Sequence, residues 1–138
     1  MTWYYEGTEF TPDQIGEHRA FVYLIQNQVT NRIYIGKKRF HFTRSRLPKN
    51  KKRRVYKVKI SDWENYYGSS KELLADIPKH GKDKFTRIII RLCKSYAESS
   101  YYELKEQLKY DVLLYPEYYY NNYVGARIHR KHVLRREK

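Results

Sequence analysis

Acidic residues are missing from a third of this chain. Between His18 and Ser61 there is no Asp or Glu, while 14 Lys and Arg fall in the same span. That span alone accounts for the formal net charge of +14, because the remaining basic residues balance the 15 acidic ones. Charge segregated in this way implies one polarised surface whose natural partner is a polyanion. Membrane-surface binding is the weaker alternative, since the basic run lacks the Leu/Phe face of an interfacial helix. Cysteine is nearly absent: Cys93 is alone, which excludes an internal disulfide and suits a reducing compartment. It reads as a small buried apolar residue after a strand. No apolar run approaches the roughly 18 residues of a membrane span, and the polar start Met1 to Phe10 is not a signal peptide. A soluble, cytoplasmic protein is expected. Internal repeats, a Gly-rich phosphate loop and Cys/His pairs at zinc spacing are also lacking.

What is present fits one α+β domain over residues 1–128, with a basic insertion at about 37–60 and a basic tail at 129–138. Ala20 to Ile25 and Arg32 to Ile35 are two β-type runs flanking a polar Asn/Gln/Thr segment, the pattern of a hairpin. Period-two alternation sets Phe21, Tyr23 and Ile25 on one face, and turns Ile33 and Ile35 away from Tyr34. The second strand closes on Gly36, where a missing side chain permits close approach. Phe85 to Leu92 is the best central-strand candidate and joins the hairpin in a sheet expected to be three-stranded and antiparallel.

Around this core the remaining segments read as follows. Trp3 to Phe10 is extended and packs under or beside the sheet, with base stacking by Trp3, Tyr4 and Tyr5 as the alternative. Thr11-Pro12 starts a helical turn. Twelve basic residues lie between Lys37 and Lys59, more than solubility requires, and phosphate contact is the preferred reading. Lys37, Lys38, Arg39, Arg46, Lys51, Lys52, Arg53 and Arg54 are the candidates. Leu47 to Arg54 reads as a loop; if Val55 to Ile60 pairs with Phe40 to Arg44 across it, a basic hairpin suited to a DNA groove results. Ser69 with Glu72 has the form of a capping box, starting a short helix near Ser70 whose buried face is Leu73, Leu74 and Ile77. Ser69 is also a candidate phosphate contact. Ala97 to about Tyr110 is helical, with Tyr101, Leu104 and Leu108 expected to face the sheet and Glu103 and Gln107 on an adjoining ridge. A glutamate there can reach the sheet surface and still meet solvent, as a metal-binding carboxylate requires. The aromatic run Glu117 to Tyr123 is extended, and His129 and His132 sit among cations that oppose metal binding.

Tyr23 in Phe21-Val22-Tyr23 and Tyr34 in Tyr34-Ile35-Gly36 resemble the paired half-motifs of the GIY-YIG nuclease family. The stretches Y-I-G-K-K, W-E-N-Y-Y-G-S-S, Y-Y-E-L-K and Y-Y-N are similar in particular to small phage-encoded members, including homing-type endonucleases. Phe21 stands where the family name has Gly, and the basic insertion sits where many members have a helix. The resemblance implies a divalent-metal-dependent DNA endonuclease, acting on double-stranded DNA in a host cytoplasm if phage-encoded. It carries the catalytic arginine onto Arg44, with Arg46 and Arg39 as rivals. It places the metal-binding glutamate at Glu103 and the late asparagine at Asn121, with Asn122 as its rival. Tyr23 would be the general base, its phenol ionised by the field of Lys37, Lys38 and Arg44. Tyr34 would hold the water or phosphate. A lone carboxylate suits Mg²⁺ or Mn²⁺ better than Zn²⁺, and no small-molecule cofactor is implied. Two other readings stand beside it: a non-catalytic nucleic-acid-binding protein, and a ribosomal-type RNA-binding protein. The second leaves Tyr23, Tyr34, Glu103 and Asn121 together unexplained.

Overall fold

A computed structural model describes residues 2–47, 49–50, 52–53, 55–125 and 128–129, and the side chains of these apart from Arg44, Ser45, Arg46, Val55, Tyr56, Ile128 and His129. Among the described residues the chain forms two α-helices and nine strands. The strands are β1 (Trp3–Tyr5), β2 (Thr8–Phe10), β3 (Ala20–Asn27), β4 (Ile33–Arg39), β5 (His41–Arg46), β6 (Val55–Ile60), β7 (Phe85–Cys93), β8 (Tyr123–Val124) and β9 (Ile128–His129). The helices are α1 (Lys71–His80) and α2 (Tyr96–Lys109). No helix among the described residues is long and apolar enough to cross a membrane.

The expected three antiparallel strands are present as β7-β3-β4, but the sheet is larger and mixed: five strands in the order β2-β1-β7-β3-β4. The N-terminal segment joins the sheet instead of packing beside it, because β1 pairs parallel with β7, Trp3 opposite Arg87. β2 folds back antiparallel on β1 through positive-φ Glu6 and Gly7. β7 is central as expected, and its ladder with β3 slips between Val22 and Tyr23, leaving Ile90 of β7 as the extra residue. Such irregularities bend the strand that carries the extra residue.

Alternation along β3 and β4 divides the core in two. One face gathers Phe21, Tyr23, Ile25, Trp3, Phe40, Trp63 and Ile89, with Tyr34 packed against it, and α1 closes it with Leu73 and Ile77. The other gathers Val22, Ile35, Cys93, Val112 and Leu113, with Tyr102 and Leu104 of α2 packed against it. Leu74, expected on the buried face of α1, is exposed. The N-cap of α1 is Ser70, which accepts from the Leu73 amide at 3.2 Å; Ser69, the expected cap, is one residue too early and bonds elsewhere. The expected stripe of α2 is also corrected. Leu104 faces the sheet, but Tyr101 and Leu108 are 62% and 57% exposed, and the buried ridge is Ser99 and Gln107 with Glu103 between them. Gln107 and Glu103 turn inward to backbone groups of β4, and Ser99 donates to the Tyr96 carbonyl of its own helix.

The basic segment after β4 forms the hairpin that the sequence left conditional, with β5 and β6 antiparallel from His41–Ile60 to Arg46–Val55. It is a separate two-stranded sheet. Lys52 and Arg53 are exposed at its far end; Lys51, Arg54 and the tail 130–138 lie outside the described residues.

Cys93 is buried, and burial pushes its thiol up to about 11. The expected outcome is no reaction with a thiol-specific maleimide at pH 8 in the folded protein and stoichiometric labelling in denaturant, read by mass spectrometry; rapid native labelling would contradict this packing.

Candidate active site

β4 is an edge strand of the five-stranded sheet, and its outer backbone groups need partners. The chain supplies them from segments 65 to 90 residues away. Ile33 donates its amide to the Tyr118 carbonyl and accepts from the Tyr120 amide, both at 2.9 Å. Two residues on, the Asn121 side chain replaces the missing strand: its Oδ1 accepts from the Ile35 amide at 3.1 Å and its Nδ2 donates to the Ile35 carbonyl at 2.8 Å. Gln107 Nε2 donates to the same carbonyl at 3.0 Å. Next, the Lys37 amide donates to the Glu103 carboxylate. Three side chains therefore continue a ladder that the backbone has abandoned. Tyr120 locks the approach, its hydroxyl accepting from Asn27 Nδ2 at 3.0 Å and donating to Asp76 Oδ2 at 2.7 Å.

Where this ladder ends, a cleft of about 770 Å³ opens, lined by Tyr34, Lys37, Tyr66, Ser69, Glu103 and Asn122 among others. Lys37, Tyr66 and Tyr96 are shared with a second cleft of about 510 Å³, lined also by Lys38, Arg39 and Phe42 at the root of the basic hairpin. The two form one cationic path. Lys37 Nζ donates to Ser100 Oγ at 2.6 Å, lies 3.9 Å from the Glu103 carboxylate and sits 4.6 Å over the Tyr96 ring. Arg39 covers Tyr96 at 3.8 Å, and Lys38 covers Tyr66 at 4.1 Å while pairing with Asp62 at 2.6 Å.

Tyr34 shares a 2.9 Å hydrogen bond with Ser69 across the cleft, and burial pushes its phenol up to about 12. Tyr23 is behind the cleft wall and fully buried, edge-on to Tyr66 with ring centroids 6.0 Å apart and hydrogen-bonded to it. Burial, then the neighbouring phenols, holds Tyr23 well above the usual tyrosine range. The cationic field expected to ionise it is thus outweighed here: Lys37 is turned toward Ser100 and Glu103, and Lys38 toward Asp62. The Arg44 and Arg46 side chains lie outside the described ones, so of the three candidate arginines Arg39 alone is seen lining a cleft. Asn121 is spent on the β4 backbone; Asn122 is exposed in the cleft.

Two residues of this site escaped the sequence reading. Tyr66 lines both clefts, and the loop that carries it is pinned from below by buried Arg87, which donates to the carbonyls of Glu64 and Tyr66 at 2.9 and 2.8 Å. Its signal was the W-E-N-Y-Y-G-S-S stretch. Gln107 was noted only for its spacing from Glu103.

Glu103 is the group suited to a cation. Its side chain is 13% exposed, and burial raises its carboxyl to about 7 although Lys37 pulls the other way. The charge is therefore under-compensated. Among the described residues no three His, Cys, Asp or Glu side chains converge, which does not fit a closed zinc site. A single carboxylate opening on a wide cleft fits a hard ion that keeps water and substrate oxygens as its other ligands.

Two outcomes follow from this packing. A Cβ on Gly36 would stand 2.5 Å from the Tyr23 hydroxyl and 2.9 Å from Tyr34 Cε2. Gly36→Ala should therefore cost about 1–3 kcal/mol in urea denaturation, as overpacking does; an unchanged midpoint would show that the tyrosines have room to move. Because the folded Glu103 carboxyl titrates near 7, above its ordinary 4.5, the native state holds more protons than the unfolded chain between those values, and stability falls as pH rises through that window. In chelator, Glu103→Gln should thus stabilise the fold at pH 8 by ~3 kcal/mol and leave it unchanged at pH 4. Equal melting temperatures at pH 8 would refute the charge cost.

The family model described as "Putative endonuclease segE, GIY-YIG domain" matches residues 3–124. No curated protein and no solved structure matched the chain. The matched span takes in the whole five-stranded sheet, both helices and every described wall of the cleft except Gly125. The chain belongs to the GIY-YIG family and is a DNA endonuclease, a phosphodiester hydrolase.

Proposed function

We propose that the chain cuts double-stranded DNA at the cleft beside β4, with one divalent ion, Mg²⁺ or Mn²⁺, held by Glu103. Family members generally use divalent metals. The observation that carries the reading is the position of Glu103: a partly buried carboxylate short of positive charge, at the point where a strongly cationic path meets Tyr34. Bound there, such an ion supplies Lewis-acid polarisation of the scissile phosphate.

The protein's own groups divide the remaining work. Phosphodiester hydrolysis adds a negative charge on the non-bridging oxygens in the transition state, and preorganised donors facing that charge lower its energy. Lys37 and Lys38 take this role at the cleft, joined by Arg44, or by Arg39 or Arg46 in its place. Tyr34 and Ser69, already sharing a hydrogen bond, orient the attacking water or a phosphate oxygen. Tyr23 is the proposed acceptor of the water's proton. Since it is buried, that transfer passes through Tyr66, its hydrogen-bonding neighbour on the cleft. Tyr23 can take that proton only as a phenolate, having first lost its own, and burial opposes that loss; positive charge facing the pair favours it, and Lys38 over Tyr66 provides that charge. Asn121 braces the site by fixing Ile35, and so the register of Tyr34 and Lys37 on either side of it. Lys51, Lys52, Arg53 and Arg54 extend the phosphate contacts along the DNA.

Nicking of supercoiled plasmid should require added Mg²⁺ or Mn²⁺ and stop in EDTA. Glu103→Ala should lower the rate by about 100-fold or more while changing DNA affinity less than about twofold, since the loss is confined to the transition state. Full activity in that variant would overturn the assignment.

A further inference from the structure

The hairpin β5–β6 is joined to the catalytic strand by a single residue, Phe40, and its root is held on both sides. Phe40 is fully buried, packed on Phe21 at 4.6 Å and Trp63 at 5.2 Å between ring centroids. Its amide donates to the Arg19 carbonyl at 2.9 Å and its carbonyl accepts from the Ser61 amide at 2.8 Å. Ser61 Oγ donates to the Arg39 carbonyl at 2.5 Å. Entry and exit of the hairpin are thus tied to each other and to the core. Beyond that clamp the two strands pair, among the described residues, only with each other, and an isolated two-stranded ribbon is marginal in water.

The register sorts its residues by charge. Directly opposed residues of an antiparallel pair share a face, and the opposed pairs Phe42–Lys59 and Arg44–Lys57 alternate with His41–Ile60 and Thr43–Val58. Every Lys and Arg position of the two strands therefore falls on one face, shared with Phe42 and Val55, and the other face has none. Lys57 and Lys59 are exposed and bond no carboxylate among the described residues. Val58 and Ile60 are 55% and 58% exposed on the opposite side. A solvated loop needs no such sorting.

We propose that this hairpin is an arm that lies in the major groove of duplex DNA with its Lys57–Lys59 face inward. The identity of the nucleic acid rests on the endonuclease reading; the mode of binding does not. A two-stranded ribbon fits a groove about 12 Å wide and not one about 6 Å wide. Each strand has six residues, so the ribbon reaches roughly 20 Å at about 3.3 Å per residue, or roughly six base pairs at ~3.4 Å each. Because the clamp at Phe40 continues directly from β4, the arm engages the groove at a fixed offset from the cleft, and so from the cut.

The test is a gel-shift titration of the full chain in EDTA, where nothing is cut, against a short duplex, its single strand and an RNA of the same sequence. The duplex should bind about tenfold tighter than either. Prior methylation of guanine N7, which lies in the major groove, should block binding over a run of about six base pairs. The double variant Lys57→Gln, Lys59→Gln should weaken duplex binding about tenfold, reduce the salt slope by about two and abolish that interference. Val58→Thr, on the other face, should bind as the parent does. Equal affinity for single strand or RNA, no N7 interference, or parental binding by the lysine variant would each overturn the proposal. Since cleavage is not read, an active Glu103→Ala chain would defeat the catalytic assignment without touching this one.

Discussion

The outer edge of β4 is the constraint on which the rest of this structure turns. A strand at the rim of a sheet presents backbone donors and acceptors that must be satisfied, and here a short backbone stretch is followed by three side chains, Asn121, Gln107 and Glu103, in succession along the rim. The same hydrogen bonds that finish the sheet bring Glu103 to the cleft. Structure and site are not separable at this edge: the carboxylate's position is fixed by the Lys37 amide, while its incomplete charge compensation leaves it available to a cation. A charge held where it costs stability is a common property of functional sites.

Much of this was legible in the sequence where periodicity is strong. The alternation of Ala20 to Ile35 gave the hairpin and the facing of each strand's tyrosine, which the register then brings to one face, and Phe85 to Leu92 declared a central strand. What failed was local and had physical causes. Three-residue strands carry no period, so the parallel pairing of Trp3–Tyr5 with β7 could not be read. Hydrophobic periodicity misplaced the inner face of α2 because that face is polar: Glu103 and Gln107 turn inward to meet the β4 backbone and Ser99 bonds within its own helix, leaving Tyr101 and Leu108 outside. Adjacent serines at 69 and 70 gave no means of choosing the cap. Tyr66 was concealed by number, one tyrosine of 16.

The buried tyrosines also revise the expected chemistry. The family resemblance implied a Tyr23 ionised by the field of Lys37, Lys38 and Arg44, yet burial holds its phenol well above the usual range, and the two lysines are engaged with Ser100, Glu103 and Asp62. The phenols stand in hydroxyl pairs, Tyr23 with Tyr66 and Tyr34 with Ser69, and not as isolated groups.

The closing of β4 by late residues bears on how the chain is made. Tyr23, Tyr34 and the cationic segment leave the ribosome early, but the partners of Ile33, Ile35 and Lys37 follow only with Glu103, Gln107 and Tyr118 to Asn121. Pairings this distant in sequence form slowly and last. During synthesis, therefore, the nascent chain carries its cationic segment before it carries an assembled cleft, and a chain interrupted before Asn121 is cationic but has an unfinished edge.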